Sequence, residues 1–140
     1  MAISRLIPAS YNTALETISG LECEVLVIGG GAAGGKRSSA LTRNCGGGGA
    51  GGLVNKTITL ATGDHTVTVG AGGEPTTPNG HESLIGSVTA VGGCGGDGSY
   101  VAQGARGGSG GGGSGFSDVL FYTGKEPIEG QGNAGGNGHN

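Results

Sequence analysis

Apolar residues in this chain alternate more often than they recur at helical spacing. Leu21, Cys23, Val25 and Val27 fall on one face, while Glu22 and Glu24 give way to Leu26 and Ile28 on the other. A strand is therefore expected over Leu21 to Ile28, becoming buried on both sides as it proceeds. Leu53 to Ala61 alternates again, with Val54, Lys56, Ile58 and Leu60 opposed to Asn55, Thr57, Thr59 and Ala61. Thr62, Gly63 and Asp64 then supply a turn, and His65, Val67 and Val69 alternate with Thr66, Thr68 and Gly70. Two period-two runs so closely joined predict a β-hairpin. Further strands are expected over Ser83 to Val91 and Phe116 to Thr123, with a brief one at Tyr100 to Ala102. Gly70 to Gly80 holds Pro75, Pro78 and an Asn79-Gly80 turn signal, and reads as loop.

The strand at Leu21 flows into glycine as VLVIGGGAAGG, where Gly29, Gly31 and Gly34 match the G-x-G-x-x-G turn of dinucleotide-binding folds. That motif works because its last glycine opens a helix, whose N-terminal amides hold the pyrophosphate. Only Ala40, Leu41 and Cys45 are apolar between Gly35 and the glycines at Gly46 to Gly49, so the helix is missing. A flavin or nicotinamide enzyme is the remote alternative. The glycine tracts are better read as architecture in their own right.

Composition sharpens this reading. Of 140 residues, 37 are glycine, a share that would point to disorder unless the backbone found partners. Ordering glycine costs roughly 0.5–1 kcal/mol more per residue than ordering alanine. Its N–H and C=O groups must then be bonded. Polyproline-II helices have three residues per turn and no internal hydrogen bonds, so helices with bare glycine edges can bond to one another. A three-residue register appears at Gly92, Gly95 and Gly98, at Gly104, Gly107, Gly110 and Gly113, and at Gly46, Gly49 and Gly52. It implies one bare edge per helix. The expected fold is all-β, with sandwich-like strands combined with packed, left-handed polyglycine-type helices and very little α-helix.

Residues 1–20 differ in composition and are expected to form an N-terminal arm or docking segment, with Tyr11 to Ser19 a short helix or irregular arm. Residues 21–140 form the glycine-rich domain. A net charge of −3 with seven Lys and Arg residues leaves no electrostatic footprint for nucleic acid, and Lys36, Arg37 and Arg43 read as a solvated loop. No run approaches the length of a membrane span, and no export signal opens the sequence. Cys23, Cys45 and Cys94 are too widely spaced for a metal or disulfide framework and read as small apolar residues, with one disulfide as the alternative. His65, His81 and His139 show no ligand spacing. No catalytic constellation emerges. Asp64 and Asp97 sit beside glycine as turn residues do, and no cofactor is expected.

The tracts VLVIGGGAAGG, GGGGAGG at Gly46, VTVGAGG at Val67, TAVGGCGG at Thr89 and GGSGGGG at Gly107 together resemble the glycine-rich domain of bacteriophage tail fibres, adhesins and other virion proteins. The resemblance implies a structural role in a phage particle after synthesis in the host cytoplasm, as a tail fibre or adhesin component, with a capsid-decorating or head-fibre protein as the alternative. It implies a homotrimer, attachment to other virion proteins through residues 1–20, and contact with a host receptor through variable loops. Candidate contact loops are Gly73 to His81, with Glu74, Asn79 and His81, and Tyr122 to Gln131, with Tyr122, Lys125 and Glu126. The pattern breaks off at Asn140, as in the proximal part of a longer fibre.

Overall fold

A computed structural model describes residues 20–36, 44–97, 106–117 and 120–139. The segment 1–19, the brief strand expected at Tyr100, and Gly98 and Gly104 of the glycine register lie outside the described residues. No helix occurs among those described, and the class is all-β.

Strand β1 (Leu21–Ile28) pairs antiparallel with β2 (Leu53–Leu60) along its whole length, from Leu21 opposite Leu60 to Ile28 opposite Leu53. Strands β3 (Val67–Thr68), β4 (Ser83–Ile85) and β5 (Val88–Ala90) form a second sheet in that order. The two sheets pack face to face. Val27, Val88 and Ala90 are buried between them, with Val25, Val54, Ile58 and Ile85 packed around. A short bulged pair, β6 (Gly115–Ser117) and β7 (Leu120–Phe121), stands apart.

Three strand expectations are corrected. The hairpin of β2 with β3 does not form, because they belong to different sheets. An eight-residue partner, β1, offers β2 more cross-strand pairs than the short run after Asp64. The Thr62–Asp64 turn instead carries the chain between layers, with Gly63 at φ 129° and a 2.8 Å contact from His65 Nε2 to the Ala61 carbonyl. The run from Ser83 to Val91 is a hairpin rather than one strand, folded at Gly86, whose φ of 55° suits the first central position of a type II′ turn. Phe116 to Thr123 is likewise divided between β6 and β7. Burial of β1 on both faces is also corrected, since Leu26 and Ile28 are 61% and 54% exposed.

Most of the remaining described residues lie in a lattice of threads, the majority of them glycine-rich: 1 (29–35), 2 (46–52), 3 (70–73), 4 (78–81), 5 (91–97), 6 (107–114), 7 (122–128) and 8 (131–138). Their hydrogen bonds recur every third residue. Gly29, Ala32 and Gly35 of thread 1 donate to Gly52, Gly49 and Gly46 of thread 2 at 2.8–2.9 Å. Gly46, Gly49 and Gly52 in turn donate to Asp97, Cys94 and Val91 of thread 5 at 2.7–2.9 Å. Gly93 and Gly96 close the triangle by donating to Gly30 and Ala33. Thread 6 adds to threads 2 and 5, and threads 7 and 8 add to thread 6 by the same rule.

A period of three is that of the polyproline-II helix, whereas a strand ladder repeats every second residue. Positive φ among the described glycines is confined to Gly63, Gly86 and Gly130, all outside the threads. The threads are therefore left-handed. The sandwich sits at one end of the lattice, because β1 enters thread 1, thread 2 enters β2 and β5 enters thread 5 there. At the other end, Gly35, Gly46, Asp97 and Gly112 share a level. At 3.1 Å per residue the array is about 20 Å long.

Candidate functional site

The glycine register and the two candidate loops meet in this lattice. A Cβ built at Gly110 or Gly113 would overlap the carbonyl oxygen of Lys125 or Tyr122, and one at Gly107 would overlap the Cys94 amide nitrogen. At Gly92 it would overlap the Gly80 carbonyl oxygen, and at Gly95 it would fall 2.5 Å from Pro78 Cβ. Real Cβ atoms essentially never come within 3.0 Å of such neighbours. The bare edge is wider than the register implied. Gly93, Gly96, Gly108 and Gly111 are closed just as tightly, because an interior thread has neighbours on several sides.

The loops expected to be free are largely threads themselves. Pro78 and His81 accept from Ala33 and Gly30 at 2.8 Å each, and Gly73 donates to Gly31 at 2.8 Å. Only a turn projects, from Glu74 to Thr77, closed by two mutual backbone bonds of 3.0 Å. Glu74 and the His81 side chain are exposed, but the Asn79 side chain caps the Gly95 amide at 2.9 Å. On the opposite flank, Tyr122, Lys125 and Ile128 donate to Ser114, Gly111 and Gly107. Tyr122 and Glu126 are exposed. The two loops are separated by threads 5 and 6 and bond to different neighbours.

Lys125 is not a surface contact. Its amine lies 3.5 Å from Asp97 Oδ1, with the two side chains 13% and 7% exposed. Asp97, read from the sequence as a turn residue, is instead a buried lattice member, bonded through both its N–H and its C=O. Its Oδ2 has no hydrogen-bond partner among the described residues. A buried carboxylate held by one amine depends heavily on that amine, since desolvation penalises the charge.

Other side chains stand in for missing backbone partners. Gln131 Oε1 accepts from the Val91 amide at 2.8 Å while its Nε2 donates to Thr89 at 3.2 Å. Asn137 Oδ1 accepts from Gly124 at 3.0 Å, and Ser83 Oγ from Gly70 at 2.8 Å. The sequence signal for these was a lone amide or hydroxyl beside a glycine tract, which alternation does not register. Cys23, Cys45 and Cys94 are all free thiols, and Cys94 is fully buried in thread 5. Gly29, Gly31 and Gly34 of the dinucleotide fingerprint lie in thread 1, where the Gly35 amide bonds to Gly46.

The arrangement thus offers a backbone scaffold with polar turns at its margins. No curated protein and no solved structure matches the chain. A family model described as a glycine-rich domain matches residues 10–140. That match spans most of the sequence, and the chain belongs to the glycine-rich domain family.

Proposed function

We propose that the protein is a structural component of a bacteriophage particle, a tail fibre or adhesin piece that holds host-contacting loops on a stiff scaffold. The observation that supports this is the period-three lattice. Its rigidity comes from interlocked main chains, so turns such as Glu74–Thr77 can change sequence without disturbing what holds them. Membership of a glycine-rich domain family is consistent with the role and does not specify it.

The reading is tested by imaging particles that carry this protein, labelled with an antibody against it. Label on the tail is the expected result. Label on the shell would make it a capsid-decorating protein instead, and absence from purified particles would overturn the virion role.

A further inference from the structure

The two sheets of the sandwich differ in width. β4 lies against β1, and β5 lies against both β1 and β2, whereas β3 lies against neither strand of the first sheet. β3 therefore extends past the free edge of β1, with no described strand above it. Its register shows which side is left open. Val67 stands opposite Ile85 in the β3–β4 ladder, and Ile85 packs on the core. Partners across a ladder share a face, and Val69, two residues on, shares it too. Both valines thus point to the side where the core sits, yet they are 60% and 83% exposed. The cleft over them is walled by Val25 to Ile28 and floored by Val67 to Val69 and Ser83 to Ile85.

The wall is also a row of backbone groups. Among the described residues the backbone of β1 bonds to β2 alone, and in an antiparallel pair every second residue directs its N–H and C=O away from the partner. An open edge eight residues long beside an uncovered apolar floor has the shape of a missing strand. We propose that residues 10–19 of this chain supply that strand, antiparallel to β1. They enter β1 through Gly20, at one end of the open edge. Ten extended residues cover about 34 Å against about 27 Å for β1, which leaves enough chain for the turn. Tyr11, Thr13, Leu15 and Thr17 alternate with Asn12, Ala14 and Glu16, a pattern rich in the aromatic and β-branched residues that suit strands. With the first set inward, Tyr11 and Leu15 cover Val67 and Val69. The match to the glycine-rich domain family likewise starts at residue 10, ahead of β1. Residues 10–19 then belong to the sandwich rather than to a docking arm, and the first sheet is three strands wide like the second. The inference stands independently of the virion role.

Amide hydrogen exchange of the full chain should find Glu22 to Ile28 slow at every residue, since both edges of β1 are bonded. Slow and fast exchange alternating along β1 would show its second edge open and overturn the proposal. Leu15→Asp and, from the floor of the cleft, Val69→Asp should each speed exchange at least tenfold at alternate β1 residues while those bonded to β2 stay slow. No change in either variant would equally overturn it. Nuclear Overhauser contacts in the unaltered chain identify the occupant without relying on the folding of either variant. In a mixture of isotope-labelled and unlabelled chains, contacts from residues 10–19 to β1 should arise within one chain. Contacts between chains would give the cleft to a second copy, and contacts from another segment would give it to that segment. Either result, or the absence of contacts, would overturn the assignment.

Discussion

At the scale of single residues, stability here turns on what lies within reach of an absent Cβ. Gly110 faces the Lys125 carbonyl and the Gly135 amide, neither of which can move without breaking bonds between threads. Gly110→Val should cost about 4 kcal/mol or more, in the range reserved for gross disruption. Its neighbour Ser109 is half-buried, and its Oγ receives only a long 3.4 Å bond from Asn133. Ser109→Ala should cost no more than about 1 kcal/mol, and equal denaturation midpoints for the two variants would show that the bare edge is misplaced. Gly136 provides the converse case, with nothing near its Cβ position and no positive φ. Gly136→Ala should stabilise by roughly 0.4–1 kcal/mol, because it restricts the unfolded chain without a clash. Calorimetric melting of the same three variants tests both statements.

Between elements, the lattice predicts a hydrogen-exchange pattern that strands do not give. In thread 1 the amides of Gly29, Gly30, Ala32, Ala33 and Gly35 are bonded, whereas Gly31 and Gly34 find no acceptor among the described residues. Exchange should therefore run slow, slow, fast with a period of three. A period of two would reassign the segment as a strand. The Asp97–Lys125 pair couples threads 5 and 7, and Lys125→Met should cost about 3–5 kcal/mol by leaving a buried carboxylate alone. Adding Asp97→Leu should recover much of that loss, which urea denaturation of both variants would reveal. The bounds of β1, those of β2 to within one residue, and the existence of the threads were legible from alternation and glycine spacing. Which strand would pair with which was not, because alternation assigns a face and never a neighbour. The Gly86-Ser87 signal that splits β4 from β5 was present but lay inside an apolar run. Lys125 and Asp97 were each read alone, and only the fold brings them together across thread 6.

For the molecule as a whole, the decisive quantity is the kind of surface that folding removes from water. Among the described residues the buried apolar side chains are Val27, Val88, Ala90 and Cys94, while the interior of the lattice is occupied by peptide groups bonded to one another. Exposing apolar surface raises the heat capacity of unfolding, and exposing polar surface lowers it. Ordinary proteins show a net increase of about 12–15 cal/mol/K per residue because the apolar term dominates. Here that term is small and the peptide term is large, so the increase per residue should fall well below this range. A smaller heat-capacity change flattens the stability curve, and stability should vary little with temperature on either side of its maximum. Differential scanning calorimetry across several pH values gives the slope of unfolding enthalpy against melting temperature directly. A slope within the ordinary range would mean that side-chain burial dominates the folding of this chain, and that the bonds between threads are a consequence of its compactness rather than the cause.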